Sequence, residues 1–114
     1  MRDELVTGDA ADIRKSYFVW DNHGCLPFRS DELFLPQIER YWNAGFGMVS
    51  LNIGYAQMSW ADHLRLLSLW RRWIALHSDR YLLIDTVEDI ERARAQGKLG
   101  IVFDVEGMIP VEDD

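Results

Sequence analysis

The period of the apolar residues changes several times along the chain, and these changes predict alternating strands and helices. Three short runs rich in β-branched and aromatic residues are typical of buried strands, at residues 17–21, 47–53 and 99–105. Two longer segments repeat their apolar residues at helical spacing, at residues 60–76 and 87–96. A further helix is predicted between Pro36, which fits a first helical position, and Gly45, which fits a helix end.

The two longer helices carry clear start signals. Ser59 is followed by Asp62, and Thr86 by Asp89, so each helix has a hydroxyl that can cap it and an acidic side chain three residues on. The predicted order of elements is β, α, β, α, α, β. Alternation of this kind is typical of parallel strands joined by crossover helices, so we predict an α/β fold.

Length and charge restrict the classes of function that fit this chain. It has 114 residues, enough for one domain at most, and 48% of them are hydrophobic, so a globular unit is expected. Its 19 acidic and 12 basic side chains give a formal net charge of −7. This argues against nucleic-acid binding, which needs a concentrated basic face.

We expect the chain to carry no targeting signal. Residues 1–15 are polar and charged, and they are predicted to lead into a domain at 16–114. They contain no apolar signal-peptide core, and no apolar run in the chain reaches the ~20 residues of a membrane span. The single cysteine excludes a disulfide-stapled scaffold and fits a reducing compartment. We therefore predict a cytoplasmic protein with no transmembrane segment.

The first candidate for chemistry follows the first predicted strand. His23 and Cys25 are two residues apart, so their side chains point to the same side of an extended chain. Imidazole and thiolate are both good zinc ligands, and the pair therefore predicts part of a metal site. The alternative interpretation is an exposed loop histidine beside a small buried cysteine.

The second candidate, Asp104 with Glu106, lies at the end of the third predicted strand. A carboxylate at the end of an apolar strand is costly to bury without a partner, which indicates a metal, a cation or a substrate amine. The alternative is that Glu106 marks where the chain leaves the sheet for solvent. Because ligands bind at the carboxyl edge of a parallel sheet, both candidates are expected at that edge.

The remaining histidines and the tryptophans are expected to be structural. His63 and His77 are predicted to lie at the surface or at a helix end, where the helix dipole favours histidine. Four tryptophans are predicted to pack in the core: Trp42, Trp60, Trp70 and Trp73.

Two segments of the sequence resemble the membrane dipeptidases (renal dipeptidase, peptidase family M19). Residues 19–27, Val-Trp-Asp-Asn-His-Gly-Cys-Leu-Pro, are similar to the opening metal motif of that family, whose pattern is Asp-Gly-His-Asn-Asp-Leu-Pro. Residues 97–107 are similar to its third strand and Glu-Gly signature. With weaker similarities in between, the resemblance extends over about residues 16–110.

The resemblance implies a zinc-dependent dipeptidase on a TIM-like (β/α)₈ barrel that binds two metal ions. His23 matches the histidine ligand of the opening motif, and Glu106 matches the carboxylate that bridges both ions. Cys25 stands where the family has an aspartate ligand, so the sequence departs from the pattern there. Asp104 lies two residues before Glu106 and would point the same way in a regular strand, so we expect it, together with Asp21, to hydrogen-bond the ligands without touching the metal. The alternative for Asp104 is an ordinary acidic residue at a strand end.

Such a barrel takes ~250 residues at typical size. The three predicted strands therefore correspond to the first three βα units of an incomplete barrel. The family's later histidine ligands and its catalytic aspartate have no counterpart, so no residue of this chain is assigned a catalytic role. We expect an N-terminal fragment that is inactive alone, with dipeptides as the substrate of the complete enzyme.

Two alternatives remain open. One is a non-catalytic, truncated α/β product with partial metal affinity or with self-association through unpaired strand edges. The other keeps metal-dependent hydrolysis and changes the substrate, as in related amidohydrolase barrels. Those barrels usually open with a His-x-His motif, which this chain lacks.

Overall fold

The computed structural model describes residues 16–28, 35–55 and 57–107. The predicted lead-in at residues 1–15 and the acidic end at residues 111–114 lie outside these ranges. The described strands are β1 (Trp20–Gly24), β2 (Met48–Asn52), β3 (Tyr81–Leu83) and β4 (Leu99–Asp104). The described helices are α1 (Leu35–Asn43), α2 (Trp60–Leu76) and α3 (Val87–Ala95).

The four strands form one parallel sheet in the order β1-β2-β4-β3. β2 pairs with β4 in regular register from Met48↔Gly100 to Asn52↔Asp104. The α/β class and the parallel pairing of the first, second and last strands are confirmed. Because parallel strands end at a common edge, residues after β1, β2 and β4 are brought together there.

The short strand β3 corrects the predicted order, in which two helices followed each other directly. Its pairing with β4 spans only the three residue pairs from Tyr81↔Leu99 to Leu83↔Ile101. A run this short is too brief for its apolar residues to show a strand period. The prediction of three strands is therefore wrong for the described residues, which contain four.

β1 begins at Trp20 and not at residue 17, because its pairing with β2 begins with Trp20↔Met48. The next pairs are Asp21↔Val49 and Gly24↔Leu51, so three steps along β1 oppose two along β2. β1 thus carries one extra residue, a β-bulge. His23 therefore lies within β1, whereas the strand predicted at residues 17–21 ended before it.

The core is centred on β2, all five residues of which are buried. Its apolar side chains pack with those of β4 and with one face each of α1 and α2. Each large apolar side chain that is fully buried contributes about 1.5–3 kcal/mol to the free energy of folding. The most buried members are Ile38, Val49, Leu51, Trp70, Ile74, Leu99 and Ile101.

Two expectations about burial are wrong. Trp60 is half exposed at the start of α2, whereas Trp70 and Trp73 pack in the core as predicted. His63 is fully buried and not at the surface, because it shares the inner face of α2 with Leu66 and Trp70, three and seven residues later. His77 lies at the C-cap of α2, as predicted.

The predicted caps of α2 and α3 are confirmed. The Ser59 hydroxyl accepts a hydrogen bond from the Asp62 amide at 3.1 Å. Thr86 and Asp89 form a complete capping box, in which each side chain accepts from the other residue's backbone amide. A cap of this kind stabilises a helix by about 1 kcal/mol.

α2 is the longest described helix, with 17 residues, and it carries three exposed arginines. Among the helices of the described ranges, none combines the length and the apolarity that a bilayer crossing requires.

The Asp89 cap predicts a pH dependence of stability. Backbone amides donate to the Asp89 carboxylate, that of Asp85 foremost, and they hold its pKa below the ordinary value in the folded chain. A lowered pKa in the folded state means that the contribution to stability is present at neutral pH and is lost as pH falls through the folded-state pKa. We expect Asp89→Asn to lower the urea midpoint at neutral pH.

The difference between Asp89→Asn and the wild-type chain should shrink at acidic pH. Glu88→Gln, which changes the exposed neighbouring acid, serves as the matched control and should change the midpoint little at any pH. A difference between Asp89→Asn and wild type that stays constant down to acidic pH would contradict the assignment.

Candidate functional site

Five polar side chains meet where β1, β2 and β4 end, and we refer to them as the strand-end cluster. His23 and Cys25 come from β1 and the residue after it, Asn52 ends β2, and Asp104 and Glu106 come from the end of β4. The parallel register places Asn52 beside Asp104. The cluster therefore lies at the carboxyl edge of the sheet, the edge at which ligands bind in parallel α/β folds.

The imidazole of His23 is held by Asp104. Its Nδ1 lies 2.9 Å from the Oδ1 atom of Asp104. An ionised carboxylate can only accept, so Nδ1 carries the proton and Nε2 is left as an acceptor in the neutral ring. The other oxygen of Asp104 accepts from the Ser50 hydroxyl at 2.7 Å, which fixes the carboxylate in turn.

The Nε2 atom of His23 faces two further members of the cluster. Cys25 Sγ lies 3.6 Å from it, and Glu106 Oε2 lies 3.7 Å from it. The structure thus brings His23, Cys25 and Glu106 together, although the sequence separates them by up to 83 positions (106 − 23). The side chains of His23 and Glu106 are 48% and 60% exposed, so the cluster is open to solvent on this side.

Asn52 contacts both Cys25 and Glu106 from the buried side of the cluster. It was not among the site residues predicted from the sequence. Its Nδ2 donates to Glu106 Oε2 at 3.1 Å and lies 3.9 Å from Cys25 Sγ. Its Oδ1 accepts from the Gly54 amide at 2.9 Å, so the buried side chain is well satisfied. Ser50 and Asn52 are polar residues two apart in an otherwise apolar strand, and that spacing was the available signal.

Asp21 contacts the backbone of His23 and not its ring. Its Oδ1 accepts from the His23 amide at 3.1 Å, and its Oδ2 accepts from the Tyr41 hydroxyl at 2.8 Å. Burial, reinforced by this hydrogen bond, raises the pKa of Tyr41 to about 12. Tyr41 therefore remains a donor at all ordinary pH values and ties β1 to α1.

A cavity of about 370 Å³ opens beside Cys25. Helix α1 forms one wall of it, and the residue after Cys25 contributes to another. Its lining combines apolar side chains with one cation and one amide: Cys25, Leu26, Gln37, Arg40, Tyr41, Ala44 and Phe46. This volume lies in the range that small-molecule sites occupy.

The donor atoms of the strand-end cluster lie close together without forming a complete metal site in the described part of the chain. Within the described ranges, no group of three or more His, Cys, Asp or Glu side chains is arranged to hold a metal ion. The separation of 3.6 Å between His23 Nε2 and Cys25 Sγ is nevertheless close to the distance of about 3.5 Å between nitrogen and sulfur ligands on one tetrahedral zinc ion. Glu106 Oε2 lies 3.7 Å from His23 Nε2 and accepts a hydrogen bond from Asn52 Nδ2.

A buried histidine lies beneath the segment that follows β2. His63 donates from Nδ1 to the Ser59 carbonyl at 2.8 Å, and its ring packs against Gly54. A Cβ on Gly54 would come within 2.5 Å of His63 Nε2, so only glycine fits there. Gly54 accepts from the Glu106 amide at 3.1 Å, which connects this packing to the cluster.

Comparison with known proteins gives a structural match only. Neither a scan against protein-family models nor a search of curated proteins finds a match. The crystal structure of an amidohydrolase from Pseudomonas aeruginosa is similar in fold, with a TM-score of 0.66 at 18% sequence identity. The alignment covers 82% of this chain and 27% of that chain. The likeness establishes a shared fold for this segment.

The contact between Gly54 and His63 predicts an energetic coupling. We expect Gly54→Ala to destabilise the chain by about 1–3 kcal/mol, because the added methyl overpacks the ring. His63→Ala removes that ring, so the double variant should lose about 1 kcal/mol less than the sum of the single variants. Urea unfolding of the four chains measures the coupling.

Gly97→Ala is the matched control for this cycle. An added Cβ at Gly97 meets no atom within 4 Å, although its φ of 66° disfavours alanine. Its cost should therefore be independent of His63→Ala. Strict additivity for Gly54→Ala as well would show that the ring and the glycine are not in contact.

Proposed function

We propose that this chain supplies the first metal ligands of a metal-dependent hydrolase of the dipeptidase type. The observation that carries the proposal is the placement of His23, whose Nδ1 is held by Asp104 while Nε2 faces Cys25 and Glu106. The amidohydrolase of similar fold supports a hydrolase on a TIM-like barrel. The resemblance of residues 19–27 and 97–107 to the membrane dipeptidases supports dipeptides as the proposed substrate.

The donor set fits zinc in its chemistry. An imidazole nitrogen, a thiolate sulfur and a carboxylate oxygen are three of the ligand types that zinc accepts. His23, Cys25 and Glu106 provide at most three ligands of one tetrahedral ion, and the proposed pair of ions needs more. The remaining ligands would come from water and from protein segments that join this one.

Asp104 would orient the histidine without touching the metal. A metal-binding histidine usually donates its other ring N–H to a carboxylate, which fixes the tautomer and makes the ligating nitrogen more basic. The bond of 2.9 Å between His23 and Asp104 has this form, and Ser50 anchors the carboxylate. Asp21 would act indirectly, by accepting a hydrogen bond from the backbone amide of His23.

A bound metal would polarise the scissile carbonyl of the substrate and activate water. The residues of this chain would hold the ion and leave room for the peptide, since His23 and Glu106 are about half exposed. Asn52 would keep Glu106 in place through its buried amide. The group that moves protons during hydrolysis is not assigned to any residue of this chain.

A non-catalytic product that associates with itself is the second candidate. It is favoured by β1, one of the two edge strands of the described sheet, on which Trp20 is 47% exposed. An uncovered strand edge offers its backbone groups to another chain. Partial metal affinity without turnover is compatible with this alternative.

Metal binding tests the proposal directly. We expect the chain to bind Co²⁺ with the charge-transfer absorption of a thiolate ligand, and Cys25→Ser to abolish that absorption. Asp104→Asn should weaken Zn²⁺ binding by about 10–100-fold, as loss of a ligand-orienting carboxylate does. Zn²⁺ should also protect the single thiol of the chain from alkylation.

The exposed Asp79 provides the matched control, because Asp79→Asn should leave Zn²⁺ binding unchanged. Binding that is as tight in His23→Asn and Glu106→Gln as in the wild-type chain would contradict the proposed ligands. Absence of the thiolate absorption alone would remove Cys25 from the set.

An activity assay tests whether the purified chain holds a working active site by itself. We expect no dipeptide hydrolysis above a metal blank when the 114-residue chain is assayed with Zn²⁺, because two-metal catalysis needs further ligands and a proton-transfer group. Hydrolysis is measured for the wild-type chain and for Glu106→Gln. Robust turnover that Glu106→Gln abolishes would show that the chain assembles a working site, for example as an oligomer.

A further inference from the structure

We propose that a cavity at the amino edge of the sheet binds a small aromatic phosphate ester. The cavity has a volume of about 290 Å³, and its lining includes Phe18, Gly47 and Lys98, which lie just before β1, β2 and β4. It is therefore at the opposite end of the strands from the strand-end cluster. The proposal does not rest on the proposed metal site or on hydrolysis.

The charge of this cavity is opposite to that of the whole chain. Among the described residues that line it, Arg94 and Lys98 are basic and none is acidic. The chain as a whole has a formal net charge of −7, so two cations without an acid are a local concentration of positive charge. A guanidinium beside an ammonium group is a donor set that suits a phosphate.

Aromatic rings form the apolar part of the lining, which contains Tyr17, Phe18, Trp42 and Phe46. Phe18, Trp42 and Phe46 are only partly buried, so some of their ring surface stays open. Aromatic pairs stabilise a contact beyond the area that they bury. The cavity therefore offers a surface for a ring next to charges for an anion.

Contacts within the chain hold the rings and one cation in place before a ligand binds. The Phe18 ring lies against Gly47, where an added Cβ would come within 2.5 Å of it. Trp42 Nε1 donates to the Gly97 carbonyl at 3.1 Å. The guanidinium carbon of Arg94 lies 6.0 Å from the centroid of the Phe18 ring, within the range of a cation–π contact.

The number of charges and the volume narrow the class of ligand. A phosphate monoester carries nearly two negative charges at neutral pH, which matches two cations, whereas a carboxylate carries one. The planar fork of Arg94 can bind two phosphate oxygens, and Lys98 can bind another as a point charge. A cavity of about 290 Å³ accommodates one small ring system with its phosphate and excludes a polymer.

The test uses phenyl phosphate as the probe and the full chain, freed of metal beforehand so that the strand-end cluster offers no ion to the phosphate. Binding is followed by the indole N–H signal of Trp42 in ¹H–¹⁵N spectra, which Trp42→Phe identifies. We expect a saturable shift of this signal. Phenol and inorganic phosphate should each bind about 10-fold more weakly or less, because each lacks one of the two contributions.

Charge variants then assign the cations. Arg94→Gln and Lys98→Gln should each weaken phenyl phosphate binding about 10-fold, as loss of a charge-assisted hydrogen bond does. Arg71→Gln is the matched control, because it makes the same change of charge on the exposed face of α2 and should leave the affinity unchanged. Circular dichroism verifies the fold of each variant, so that a structural role of Arg94 at the end of α3 is separated from binding.

Four results would overturn the proposal. A Trp42 signal that stays fixed in excess phenyl phosphate would show that the cavity does not bind it. Inorganic phosphate that binds as tightly as phenyl phosphate would show that the rings take no part. Benzoate that binds as tightly would remove the preference for a phosphate. Wild-type affinity in a folded chain with both Arg94→Gln and Lys98→Gln would remove the two cations from the site.

Discussion

The extra residue in β1 is the constraint on which the strand-end cluster depends. In a regular strand, Asp21 and His23 would point to the same side of the sheet. Because three steps of β1 oppose two of β2, Asp21 and Gly24 both face α1, where Tyr41 holds the carboxylate and where a side chain on Gly24 would collide with the Tyr41 hydroxyl. His23 is thereby turned to the other side, where Asp104 accepts from its ring. Bulges commonly re-aim a side chain near a functional site.

β2 contributes the polar groups that keep the cluster in place. Ser50 and Asn52 are buried, and an unsatisfied polar group at such positions would cost about 1–3 kcal/mol. Each avoids that cost by bonding to a residue on β4 or just after it: Ser50 to Asp104, and Asn52 to Glu106. The same bonds that satisfy the core therefore fix the two carboxylates. β2 lies between β1 and β4 and is parallel to both, so its side chains can contact residues at the ends of both neighbouring strands.

The sequence predicted that His23 and Glu106 meet at one edge of the sheet, as they do, but it did not predict the bulge in β1, the strand β3 or the burial of His63. Capping chemistry is local, so α2 and α3 could be located from Ser59 and Thr86. The edge of the sheet that carries the cluster follows from parallel pairing alone. The bulge in β1 and the short β3 arise from pairing with distant residues, and no local pattern encodes them. The burial of His63 depends on which face of α2 meets the core. The arginines that lie between the apolar residues of this helix made that face hard to identify from the sequence.

Cysteine in place of the expected aspartate changes what this edge of the sheet can do. A carboxylate offers two oxygens to a metal and is a weak nucleophile, whereas sulfur offers one donor atom and is a strong nucleophile. His23 has the geometry of a ligand, because its bond to Asp104 commits Nδ1 and leaves Nε2 facing Cys25 and Glu106. In the proposed metal site, the Cys25 thiolate would therefore give the ion one donor atom where a carboxylate could give two, and Asp104 and Ser50 would keep the histidine in place for it.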